Sequence, residues 1–380
     1  MSPDRLDHLV DGQEVLVCCG PGGVGKTTVA ASLALEAARR GRRACVVTID
    51  PARRLADALG LDRLDDVPTR VPGDWPGDLW AVMLDTESTF DALVTRYAAT
   101  PEQADAILRN RLYRNIAGVL SGTQEYMAME KLYELHEEGG TGPAGEPVRF
   151  DLVVVDTPPT RNALDFVDAP RRLTRFLDNR FFRMLMVPTR TYLRAVTMAG
   201  QALLRTVSKV VGSEVVADVM AFFRAFEGME EGFRYRAQEV SDLLSSEATA
   251  FVLVASPARD SVREAEYFAD KLDEAGIETA ALVVNRLHPR FGTPGPLSDG
   301  GDGPGAPGAA LAPFYANLSQ FIEVADREES HFAALAAQVS PSPVARVPFL
   351  PADVHDLDGL RRVADELFPR PAPPRGPEWP

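Results

Sequence analysis

The sequence predicts an α/β fold with a mostly parallel central sheet flanked by helices. Three observations support this. Apolar strand-like runs alternate with helical stretches, which implies right-handed crossovers between parallel strands. The first run, Glu14-Val-Leu-Val-Cys-Cys19, passes into the helical stretch Thr28 to Arg40 through a glycine-rich loop. Two later runs end in aspartate, at Asp50 and Asp156, where ligands are held at the carboxyl ends of such strands. With 380 residues and 45% hydrophobic content the chain can bury a substantial core, enough for two domains or one elaborated one.

The elements follow in order. Gly20-Pro-Gly-Gly-Val-Gly-Lys-Thr-Thr28 fits the phosphate-loop pattern G-x-x-x-x-G-K-[ST] and lies where strand becomes helix. Its glycines let successive N–H groups converge on phosphate oxygens, and the helix N-terminus faces the anion. On this reading Gly20, Gly22, Gly23, Val24, Gly25 and Thr28 line an ATP site, Lys26 reaches the β/γ-phosphates and Thr27 ligates Mg²⁺. A glycine-rich turn without a ligand is the bland alternative, and the strand-to-helix context argues against it. Arg43 to Ile49 is the second strand, residues 61 to 78 a surface excursion, and Leu79 to Leu84 a third strand. Ser88 to about Glu138 is helical with a break at Gly118 to Gly122, and Glu138 to Pro147 is a breaker-dense loop. Phe150 to Asp156 is a further strand.

Pro170 to Ser246 carries helical periodicity without a strand candidate, so 170–246 is expected to be a helical insertion in a discontinuous body of 1–169 and 247–368. Strands return at Ala250 to Ala255, Thr279 to Val284 and Ala345 to Leu350. The Gly- and Pro-rich stretch 292–308 and the Pro-rich tail 369–380 are expected to be extended or disordered.

Phosphoryl transfer needs positioning and charge neutralisation more than covalent chemistry. Lys26, Thr27 and two carboxylates form a sufficient set: Asp156 and Asp50 holding Mg²⁺ directly or through water, with Asp50 also orienting and deprotonating the attacking water. Asp50 is alternatively a turn aspartate before proline.

The formal net charge of −15 argues against nucleic acid or an anionic membrane surface as main partner. Cys18, Cys19 and Cys45 read as small buried hydrophobes of a reducing compartment, and no C-x-x-C occurs. With no signal segment and no apolar span of about 20 residues, the expected location is the cytoplasm.

The loop, the segment Asp50-Pro-Ala-Arg-Arg-Leu-Ala-Asp57 and the segment Asp156-Thr-Pro-Pro-Thr-Arg-Asn to Pro170 resemble the phosphate loop, switch I and switch II of the ArsA/Get3 ATPases. Ser121-Gly-Thr-Gln-Glu125 resembles a further family segment. The resemblance covers most of the chain and implies a P-loop NTPase that cycles between open and closed dimers. It implies that Asn285 reads adenine and that Val347 to Pro351, with Pro348 and Pro351, closes over the base. It also implies handling of a membrane-protein client or a membrane transport partner, which would make the protein peripheral at the membrane through that partner.

Two departures stand out. No cysteine lies in the helical insertion, which argues against soft metalloid cargo, and Pro21 occupies the position of the family's signature lysine. That lysine acts across the dimer on the partner's nucleotide. Either a homodimer lacks this cation at both sites, or a heterodimer with a lysine-bearing paralogue supplies it, the arrangement preferred here. A regulatory subunit with weak hydrolysis and a chaperone for hydrophobic helices are the other classes; a positioning ATPase of the ParA/MinD type fits the tail and charge less well. Met184, Met186, Met198, Met220 and Met229, with Phe181, Phe182, Phe222, Phe223 and Phe226, line either a client groove or plain core and dimer contacts.

Overall fold

A computed structural model describes residues 6–49, 54–111, 113–114, 123–142, 145–157, 163–178, 213–291 and 307–369. The strands are β1 (Val15–Cys19), β2 (Arg43–Thr48), β3 (Thr69–Val71), β4 (Asp78–Met83), β5 (Gly140–Thr141), β6 (Pro147–Val148), β7 (Leu152–Asp156), β8 (Thr249–Ala255), β9 (Thr279–Leu287) and β10 (Val344–Pro348). Eight of them form one sheet in the order β10-β9-β8-β1-β7-β2-β4-β3. Every pair in it is parallel except β3 with β4. The predominantly apolar make-up of the inner strands follows from this arrangement, because helices cover both faces.

One face, carrying Val15, Val17 and Cys19, packs under helices Thr86–Tyr97, Pro101–Leu108, Thr123–Tyr133, Ala163–Asp178, Glu230–Leu244 and Arg259–Glu274. The other, carrying Leu16 and Cys18, lies against Asp7–Gly12, Lys26–Arg39, Arg54–Leu59 and Leu357–Leu367. Cys18 and Cys19 therefore point to opposite layers, as the two-residue period of a strand requires. Burial pushes the Cys18 thiol well up, with the Asp156 charge adding to it, and raises Cys19 to about 12, so both stay protonated at neutral pH.

Some elements depart from the sequence reading. The surface excursion contains β3, the breaker-dense loop contains the small β5–β6 hairpin, and a short helix, Asp7–Gly12, precedes β1. Pro170 lies inside helix Ala163–Asp178, so the helical run begins before the expected boundary. The long helix Pro307–Gln338 opens within the stretch expected to be extended, whose remaining residues, 292–306, lie outside the described ones, as does 370–380.

Residues 179–212, with Phe181, Phe182, Met184, Met186 and Met198, also lie outside. Of the groove candidates within the description, Phe226 and Met229 are core residues, Phe226 packing on Phe233 at 5.2 Å between ring centroids. Beneath these helices the buried Arg236 pairs with Glu130 on Thr123–Tyr133 and reaches Glu138 at 3.1 Å. Among the described residues no helix is long and apolar enough to cross a membrane.

Candidate functional site

The loop leaves the carboxyl end of β1, the strand with β7 and β8 at its sides, and enters helix Lys26–Arg39. Gly20, Gly23 and Gly25 have φ of 139°, 76° and 95°, which side chains with a Cβ rarely adopt. Space is restricted as well: a Cβ on Gly20 would stand 2.1 Å from the Val254 carbonyl oxygen, and one on Gly25 would stand 2.3 Å from Asn285 Nδ2. Gly25→Ala therefore combines a left-handed strain of roughly 1–2 kcal/mol with displacement of the Asn285 amide. The expected outcome is a lower melting temperature together with loss of the thermal shift produced by ATP, both read from one thermal-unfolding series.

Lys26, the first residue of the helix, is 6% exposed. Its Nζ donates to the carbonyls of Gly20 at 3.0 Å and Pro21 at 2.9 Å, so the ammonium lies folded inside the arch of its own loop. Pro21 is buried, whereas Gly22 and Gly23 are exposed at the mouth.

Thr27, one residue on, donates its hydroxyl to Asp156 Oδ2 at 2.6 Å, and Thr48 donates to the same oxygen at 2.9 Å. Strand register makes this meeting possible, since Asp156 on β7 is level with Cys18 on β1 and Thr48 on β2. The Asp156 carboxylate is 2% exposed. Thr157 then ties β7 back to β1, its hydroxyl donating to the Cys18 carbonyl at 2.8 Å. A carboxylate and hydroxyls are hard oxygen donors. Such a small, all-oxygen set fits Mg²⁺, which takes most of its shell from phosphate and water.

The end of β9 closes the loop from the other side. Asn285 Nδ2 donates to the Val24 carbonyl at 2.8 Å, while its Oδ1 accepts from the Arg286 backbone N–H at 2.9 Å. Asn285 thus grips the loop itself. Pro348 pairs with Leu287, two residues beyond Asn285, and Phe349 N–H donates to the Leu287 carbonyl at 2.7 Å. The exposed Pro351 follows, so the segment expected to cover a base runs beside the strand that carries Asn285. Asp50 lies outside the described residues, as do residues 121–122 and 158–162 of the two family-like segments. Thr28 sits half-buried in the first turn of the helix.

Sequence reasoning missed two contributors. Thr48 and Arg286 carry no motif of their own, and only the positions of neighbouring strands bring them to the loop. Arg286 donates from Nη1 to the Gly23 carbonyl at 3.0 Å.

A family model described as anion-transporting ATPase matches residues 13–291, a span that includes the loop, β2, β7 and Asn285. The chain is 26% identical over 292 residues to the ATPase GET3 of Malassezia globosa, covering 75% of this chain and 76% of that one. It is 23% identical over 372 residues to the ATPase get3 of Schizosaccharomyces pombe, covering 96% and 94%. An uncharacterized protein of Streptomyces coelicolor is 30% identical over 275 residues, covering 72% of this chain and 62% of that one. A phosphate loop that encloses its lysine and joins its threonine to the strand-end aspartate, within a family match over residues 13–291, makes this chain a member of the ArsA/Get3 family of anion-transporting ATPases.

Proposed function

We propose that the chain binds and hydrolyses ATP with Mg²⁺ at the phosphate loop, and that nucleotide state drives opening and closing of a dimer. The observation that carries this reading is the bond of Thr27 to the buried Asp156 at the ends of β1 and β7, directly beside the loop that encloses the Lys26 ammonium. Lys26 and the amides of Gly22 to Thr28 would hold the phosphates, Lys26 exchanging two neutral carbonyls for anionic oxygens, a stronger charge-assisted bond. Thr27 and Asp156 would hold Mg²⁺, and Asp50 would position the attacking water near it. Bound Mg²⁺ supplies charge neutralisation at the phosphates. Asn285 would lie at the adenine, with Pro348 and Pro351 across the base.

In this reading residues 1–169 and 247–368 form the ATPase body and 170–246 a helical insertion for a membrane-protein client or a membrane transport partner, from a cytoplasmic location. The burial of Phe226 and Met229 supports core or dimer packing for the described part of that insertion.

Pro21 favours one further element. It offers no charge, it has no N–H for the loop, and its ring is buried, so the cation acting across the dimer would come from a paralogue carrying lysine at that position. Purified chain mixed with each such paralogue should co-elute with one of them and turn over ATP faster than either alone. Unchanged turnover with separate elution would reject the heterodimer. Multiple turnovers by the isolated chain at the mixed rate would favour a homodimer, and no hydrolysis even in a single turnover would favour a regulatory subunit.

A further inference from the structure

Along β9 the ladder with β10 pairs Asn285 with Val347 and then Leu287 with Pro348, so Arg286 is an extra residue without an opposite number. This is a β-bulge, a device that re-aims a side chain and is common beside active sites. Its backbone has φ of 64°, the sole positive value at a non-glycine residue among the described residues. In a regular strand, successive side chains point to opposite faces. Here the bulge turns both Asn285 and Arg286 to the phosphate loop, where they take the carbonyls of Val24 and Gly23, two successive residues.

A trans peptide is planar, with C=O and N–H pointing in opposite directions. Drawing the Gly23 carbonyl toward Arg286 turns the Val24 N–H the other way, and drawing the Val24 carbonyl toward Asn285 does the same for the Gly25 N–H. Each is then free to face an anion held in the loop. These amides matter more here because Pro21 has removed one donor from the same loop. A residue with a Cβ at φ 64° carries a backbone cost that glycine or asparagine would reduce, and such outliers persist where the surroundings impose them.

We propose that Arg286 is a positioning residue for the phosphate loop: the bulge holds its guanidinium on the Gly23 carbonyl, which fixes the loop amides for a polyphosphate and adds a fixed positive charge beside them. The inference rests on reading the loop as an ATP site. It assigns Arg286 to recognition of the phosphate chain and not of the base, so affinity loss should grow with phosphate number.

Binding of ATP, ADP and AMP is measured by calorimetry for the wild type, Arg286→Gly and Arg286→Lys, with thermal unfolding of each unliganded chain. Glycine adopts φ 64° without the Cβ penalty, so Arg286→Gly should melt no lower than the wild type while losing about tenfold in ATP and ADP affinity, as expected for a hydrogen bond from a charged group. AMP affinity should change less than threefold, and Arg286→Lys should restore most of the ATP affinity. Equal losses for AMP and ATP, a drop in melting temperature with the ATP to AMP ratio unchanged, or unchanged binding throughout would each overturn the role of Arg286. Failure of the wild type to bind ATP would instead overturn the reading of the loop, and the wild-type titration alone reveals it.

Discussion

Lys26→Ala is expected to weaken ATP binding and turnover by about a hundredfold or more, because it removes the ammonium enclosed by the loop. Two geometric facts set the size of the effect. The ammonium is already desolvated at 6% exposure, and it sits between the Gly20 and Pro21 carbonyls inside the loop. A charge in such a preorganised, water-poor setting contributes far more to phosphate binding than one in solvent. The readout is ligand-induced stabilisation: saturating a site at 100 times its Kd adds about 2.7 kcal/mol to unfolding. Wild type should show that gain with Mg·ATP and Lys26→Ala should show almost none. Arg in place of Lys is a second check, since a planar fork does not fit between carbonyls that accept a compact ammonium at 2.9 and 3.0 Å. Full ATP turnover in Lys26→Ala would rule out this site.

Arg236→Ala is expected to destabilise the fold by about 3–5 kcal/mol at neutral pH, because it strands a buried carboxylate. Glu130 is 2% exposed and Arg236 5% exposed, and the two meet at 2.6 Å with the guanidinium stacked 4.0 Å over the Tyr133 ring. Burial already raises the Glu130 carboxyl above the usual carboxylate range, against the pull of Arg236. Without the arginine it rises further.

An acid whose folded-state pKa is raised costs stability when ionised, so the deficit of the variant should shrink as the pH falls through that raised pKa. Glu138 behaves in the opposite sense. Its carboxyl is lowered chiefly by the hydrogen bond from Arg96, so its contribution is full above the ordinary carboxylate range and is lost as the pH falls through the lowered value. Urea unfolding midpoints of wild type and variant, taken from about pH 4 to about pH 8, separate the two: a deficit independent of pH would show that Glu130 is not the stranded group.

The strands that hold the site were legible because most are apolar runs buried on both faces, and such runs end where a turn or a charge begins. β1, β2, β4, β7, β8, β9 and β10 all match expected strands to within a few residues. The positions of Lys26, Thr27 and Asp156 at the ends of β1 and β7 were legible for a different reason: a short motif and a strand end mark them.

What escaped notice depends on partners distant in sequence. β3 is three residues long and takes its form from antiparallel pairing with β4, so no local periodicity announces it. The β5–β6 hairpin is hidden among Gly and Pro. Thr48 reaches Asp156 only because β2 and β7 are in register, and Arg286 reaches Gly23 only through a bulge whose existence requires the β10 ladder. Asn285 illustrates the intermediate case: the residue was picked out, but its grip on Val24 could not be read from its neighbours.

The bond between Asn285 and Val24 joins residues 261 positions apart, and Thr27 and Asp156 are separated by 129. Contacts of such long range form late in folding, because loop closure must precede them. During synthesis the phosphate loop emerges long before the strands that shape it, so a nascent chain carries the motif without the pocket. A nucleotide that binds only the finished site would consequently draw the folding equilibrium of the entire chain toward it.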